Sequence, residues 1–233
     1  MTTIARNFQD VHARIVTACR AAGRDAADVA LLAVSKTFGP GAVRAAFEAG
    51  QRAFGENYIQ EGVEKIAALA DLRADLCWHC IGPIQSNKTR LVAERFDWAH
   101  TLDRLKTAER LSAQRPPELA PLNVCIQVNI DGGPAKSGVA PDQALALARA
   151  VAALPRLRLR GLMTIPEPAA DFEAARAVHA RAKVLFAQLN AAGLGLDTLS
   201  MGMSADLEAA VAAGSTLVRI GSALFGARAP KAT

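Results

Sequence analysis

The chain has 233 residues, 51% of them hydrophobic, which is enough material for the core of one α/β barrel. Its formal net charge of +5 is scattered with no Lys/Arg run, so no nucleic-acid partner is expected. No uncharged apolar stretch of spanning length and no apolar leader in residues 1–8 occur, so no membrane partner is expected and a cytoplasmic location is the default.

Ile4, Phe8, Val11, Ile15 and Ala18 recur at helical spacing and predict a helix over 2–22, ended by Gly23. Strands and helices then alternate. The apolar run 29–34 reads as a strand buried on both faces, and 40–49 as a helix closed by Gly50. A short strand at 52–54 precedes a helix at 59–69. A strand at 77–81 follows, and Ser86 is placed to cap a helix running to Phe96. The strand 97–100 leads to a helix at 102–113, broken by Arg115-Pro116-Pro117. Three more pairs follow: strands 122–128, 157–164 and 197–200, with helices 141–153, 171–190 and 205–213. The last strand is 216–220, and a short helix starts near Ser222. Eight strands alternating with helices predict a single (β/α)8 TIM-type barrel with an extra N-terminal helix, one domain over 1–233.

In such barrels the chemistry sits where the strands end. The residues there are Ser35 and Lys36, Glu56 and Asn57, His79 and Gly82, His100 and Thr101, Asn129, Thr164, Ser200 and Gly202, and Arg219 and Gly221. They form a polar ring over an apolar interior. Lys36, at the end of a buried strand, is partly desolvated, which favours a neutral amine able to attack an aldehyde. Strand position alone equally allows an ammonium that reaches solvent. Arg219, inside the apolar run 216–221, needs a partner because an isolated buried charge is expensive. A carboxylate would serve, and so would a ligand's ring nitrogen or phosphate. The loops 200–204 and 221–223 offer small residues, hydroxyls and backbone N–H groups suited to an anion. Ser204 and Ser222 could also simply cap helices.

Cys77-Trp78-His79-Cys80 is formally a C-x-x-C, but no second pair completes a zinc set. Cys19, Cys77, Cys80 and Cys125 read as reduced structural residues, and no metal is expected. Gly193-Leu194-Gly195 lacks a third glycine and precedes a strand, so it is no dinucleotide fingerprint.

Several segments together resemble the pyridoxal phosphate homeostasis proteins, relatives of the alanine racemase barrel domain. They are Ala33-Val34-Ser35-Lys36-Thr37, Phe54-Gly55-Glu56-Asn57-Tyr58 and the stretch from Trp78 to Lys88. Further on come Lys136-Ser137-Gly138, Gly161-Leu162-Met163-Thr164, the stretch from Ser200 to Asp206 and the stretch from Val218 to Gly226. The resemblance implies that Lys36 is the Schiff-base lysine of pyridoxal 5′-phosphate (PLP) and that Arg219 faces the pyridine nitrogen. It implies that Ser200, Gly221 and Ser222, with nearby backbone including that of Met201, hold the phosphate, and that Asn57 and His79 line the ring pocket. It further implies a monomeric, non-enzymatic handler of PLP, with PLP-dependent apo-enzymes as candidate recipients. Two departures stand out: Phe38 where members often have a second lysine, and Cys80 where an aromatic is usual.

The alternative is a PLP-dependent amino-acid racemase or related enzyme. A racemase needs an acid/base on each face of the substrate. Alanine racemases draw a tyrosine from an additional β-domain, which is not expected here, and the only tyrosine is Tyr58. A third possibility is a barrel enzyme whose Lys36 forms a Schiff base with a phosphosugar-type substrate.

Overall fold

The computed structural model describes residues 3–133 and 136–226. Helix α1 (Thr3–Ala21) places Val11, Ile15, Ala18 and Cys19 on one buried stripe, as the spacing requires. Eight strands follow: β1 (Ala30–Val34), β2 (Ala53–Glu56), β3 (Cys77–Cys80), β4 (Trp98–Leu102), β5 (Leu122–Gln127), β6 (Leu157–Met163), β7 (Thr198–Ser200) and β8 (Leu217–Ile220). They pair in parallel and in chain order, and β8 returns to β1 to close the barrel. Leu32 stands in register with Arg219 across that closing seam. The connecting helices are α2 (Pro40–Glu48), α3 (Ile59–Ala68), α4 (Thr89–Arg95), α5 (Leu105–Gln114), α6 (Ala144–Ala152), α7 (Phe172–Ala191) and α8 (Leu207–Ala212). A single-turn helix α9 (Ser222–Phe225) ends the described chain. This is the (β/α)8 TIM-type barrel with an N-terminal helix that the alternation implied.

The differences lie at element ends. β2 begins one residue later than expected and runs to Glu56, because a neighbouring lysine makes burial of that carboxylate tolerable. Leu102 belongs to β4 and is fully buried, so α5 starts only at Leu105. Ser86 does not cap a helix; it opens a 3₁₀ turn ahead of α4, and its carbonyl accepts from the Thr89 hydroxyl at 3.1 Å. Ser204 and Ser222 likewise cap nothing with their side chains: the N-cap positions of α8 and α9 are Asp206 and Gly221, and neither helix has a side-chain cap.

Strand alternation sorts the core into two parts. Leu31 and Ala33 of β1, with Val218 and Ile220 of β8, pack outward against the helices. Leu32 and Val34 join Ile81 and Leu217 in a smaller cluster inside the barrel. Among the described residues no helix is long and apolar enough to cross a membrane.

Candidate functional site

The same alternation turns polar side chains inward. Val218 and Ile220 face out, so Arg219 faces in; Leu199 faces out, so Ser200 faces in; Trp78 and Cys80 face out, so His79 faces in. These inward groups form one hydrogen-bonded line. Arg219 Nη1 donates to Ser200 Oγ at 2.9 Å and to the Ser200 carbonyl at 2.8 Å, while Nη2 donates to the Thr164 carbonyl at 2.8 Å. Ser200 Oγ lies 3.1 Å from His100 Nδ1, and His100 Nε2 lies 2.8 Å from His79 Nδ1. His79 Nε2 then meets Cys77 Sγ at 3.3 Å, at the start of β3.

Burial fixes the charges along this line. It pushes His79 down to about 3. It also pushes His100 well below the usual histidine value, with His79 and Arg219 adding to the effect. Both rings are therefore neutral at physiological pH. Arg219 can only donate, so the tautomers that give each hydrogen an acceptor run one way: Ser200 O–H to His100 Nδ1, His100 Nε2–H to His79 Nδ1, His79 Nε2–H to Cys77. Burial lowers the Arg219 guanidinium to about 10, which still leaves it charged at neutral pH. Its partners are carbonyls and a hydroxyl, and among the described residues no carboxylate lies within ion-pair distance of it. Of the two kinds of partner open from sequence, the carboxylate is therefore not the one present.

At the strand-end face, a cavity of about 770 Å³ opens above Arg219. Lys36, Asn57, Arg219, Gly221 and Ser222 all lie on its wall. His79, Ser200 and Met201 do not. His79 is stacked on Trp98 with ring centroids 5.1 Å apart and reaches Arg219 only through His100 and Ser200. Ser200 is spent on holding Arg219, and Met201 is buried in the main core with its N–H on the Leu217 carbonyl. The loop following β7 reaches the cavity through Met203, Ser204 and Ala205 instead. It turns there at Gly202, whose φ is +94°. A Cβ at that position would stand 2.4 Å from the Cβ of Ala210, so only glycine fits. Ser204 and Ser222 bring the two loops together with hydroxyls 3.4 Å apart. Phe38 and Ile165 complete the apolar side, and Phe38 stacks on Phe225 with centroids 5.2 Å apart. The sequence singled out Phe38 as a departure from the family pattern, where a second lysine is usual, and gave no signal for Ile165.

Lys36 is half-buried and occupies the second position of a tight turn, closed by Phe38 N–H donating to the Ser35 carbonyl at 3.0 Å. Thr37, the third position, has φ of +71°. A β-branched residue is rare in this left-handed region, and holding it there costs about 1–3 kcal/mol. The four cysteines are free, and burial pushes the Cys80 and Cys125 thiols up to about 12, so they are inert packing groups. Among the described residues no cluster of metal-ligating side chains occurs.

The residues present fit an aromatic phosphate with an aldehyde. A primary amine and a donor-only guanidinium share one wall, and the Oδ1 atom of Asn57 on that wall is buried with no partner. An apolar flank and two small-residue loops supply the rest.

The profile described as "Alanine racemase, N-terminal domain" matches residues 8–229, which span the whole closed barrel. The chain belongs to the family of pyridoxal phosphate homeostasis proteins. It is 62% identical over 228 residues to the Pyridoxal phosphate homeostasis protein of Pseudomonas aeruginosa, covering 98% of this chain and 97% of the relative. It is 54% identical over 229 residues to the protein of the same name from Escherichia coli, covering 98% of each. Among solved structures it is similar to PipY of Synechococcus elongatus with PLP bound: TM-score 0.83, 37% identity, 96% of this chain and 100% of that one.

Proposed function

We propose that this protein binds PLP and keeps it available inside the cell, by storage or delivery, without catalysing a reaction on it. The observation that carries this reading is Arg219: a buried guanidinium with no carboxylate partner among the described residues, on the same cavity wall as Lys36. Lys36 would anchor the cofactor through its amine, and Arg219 would face the pyridine nitrogen. Gly221 and Ser222, with Ser204, would hold the phosphate, and Asn57 would contact the ring substituents. His79, Ser200 and Met201 would act from behind the wall, the first two by holding Arg219. The PLP-bound PipY structure and the names of the relatives support this reading.

When bound, PLP supplies an electron sink whose strength depends on protonation of its ring nitrogen. Arg219 has no lone pair with which to share that proton, and the line of groups behind it is neutral. The site is thereby suited to hold the cofactor with little activation. The described cavity wall also carries no tyrosine, histidine, carboxylate or thiol to move a proton opposite Lys36. A monomeric state, a cytoplasmic location and PLP-dependent apo-enzymes as recipients belong to the same proposal.

The deciding experiment compares PLP transfer from the loaded protein to an apo-enzyme with transfer from free PLP at equal concentration. A carrier gives reactivation at a rate that depends on the loaded protein. Deuterium exchange at the α-carbon of amino acids at enzyme-like rates would overturn the proposal in favour of a racemase-type enzyme.

A further inference from the structure

The turn bearing Lys36 is fastened on both sides of that residue by charged groups of the next βα unit. On one side the Ser35 carbonyl accepts from Lys65 Nζ at 2.7 Å. On the other, Thr37 N–H donates to Glu61 Oε1 at 2.5 Å. Lys65 also donates to Glu61 Oε1 at 2.6 Å and to Glu56 Oε1 at 2.8 Å, so its three hydrogens all meet oxygens. Ser35 Oγ donates to the same Glu56 oxygen at 2.6 Å.

This cluster is costly. Glu56 is fully buried and the Lys65 side chain is 4% exposed. Buried ion pairs seldom repay their desolvation in stability, whereas they do fix geometry. The geometry at stake is the left-handed Thr37, which an unrestrained turn would leave. Lys65 and Glu61 lie one turn apart on α3, which starts two residues after Asn57. The cavity's lysine and its asparagine are thus tied to one helix.

We propose that Lys65 and Glu61, with Glu56 behind them, are positioning residues for Lys36: they clamp the peptide groups before and after it and so set how tightly an aldehyde cofactor is held. This rests on Lys36 being the anchor.

The test is PLP titration of the full-length apo-protein, followed by absorbance and by borohydride trapping with mapping of the modified lysine. Glu61 is chosen for substitution because its side chain is 28% exposed, and Glu61→Gln keeps an acceptor oxygen. Glu61→Ala should weaken PLP binding by about ten-fold or more, the worth of one hydrogen bond to a charged group, and slow trapping at Lys36. Its apo form should still unfold cooperatively. Glu61→Gln should stay within about three-fold of wild type. Wild-type affinity in Glu61→Ala, or a loss in Glu61→Gln as large as in Glu61→Ala, overturns the clamp while Lys36→Ala still abolishes the lysine-bound band. A band that survives Lys36→Ala overturns the anchor itself, and the clamp's role with it.

Discussion

His79 Nδ1 and His100 Nε2 lie 2.8 Å apart inside the barrel, and neither ring is charged at neutral pH. Both folded values lie below the free value, so below about pH 6.5 the unfolded chain takes up protons that the folded chain refuses. The sign is therefore one of acid destabilisation: this stability is complete above that pH and lost as pH falls towards the folded value, about 3 for His79. Between pH 7 and 5 His79 alone contributes a loss of about 2 kcal/mol, and His100 adds to it in the same direction. Urea unfolding of the apo-protein across that range measures it, and His79→Gln should make the dependence clearly shallower. Stability that stays flat from pH 7 to 5 would contradict the neutral pair.

Lys36→Ala removes the amine from the described cavity wall. Its position is half-buried at a strand end, so the barrel should survive with a change of less than about 1 kcal/mol. The expected outcome is loss of the visible band of lysine-bound PLP, with far-UV circular dichroism unchanged. Retention of the band would shift attention to Lys136 or Lys88.

The barrel was legible because its strands are short apolar runs ending in polar residues; β8 carries Arg219 at a position that alternation turns inward, and Lys36 sits in the turn that follows β1. Depth along the barrel was not legible. His79 and Ser200 lie on inward faces like Arg219, but only the three-dimensional stagger shows that they stand behind it. Glu56 read as a strand-end polar residue just past a strand over 52–54, whereas it is the last, fully buried residue of β2. The lysine that permits its burial is Lys65, nine residues on and on another element, a pairing that no local pattern signals.

Arg219→Ala should weaken PLP retention by about ten-fold or more, since it removes the donor proposed to face the ring and takes one hydrogen bond from each of the Ser200 and Thr164 carbonyls. Those carbonyls are left buried without the guanidinium, so the apo-protein should also lose about 1–3 kcal/mol. Dialysis of the loaded protein reads the first effect and denaturant unfolding the second. Unchanged retention would remove Arg219 from the cofactor's contacts.

Gly82 tests whether the cavity wall depends on close backbone packing. A Cβ at this position would stand 1.9 Å from the Asn57 carbonyl oxygen, with the Asn57 carbonyl carbon and Cα at 2.7 and 2.8 Å. Nothing there is the end of a flexible side chain, so the backbone itself has to move. Gly82 cannot easily move instead, because its carbonyl accepts from the Thr101 hydroxyl at 2.7 Å. Gly82→Ala should therefore cost about 1–3 kcal/mol, the usual penalty of overpacking. Because Asn57 is a wall residue, the displacement should also weaken PLP binding. Gly41→Ala is the control: its Cβ would meet nothing within 4 Å, and it lies in the first turn of α2, where alanine is preferred to glycine. That variant should leave PLP affinity unchanged and stability equal or higher. Equal effects from the two glycines would mean that the Asn57 contact does not shape the wall.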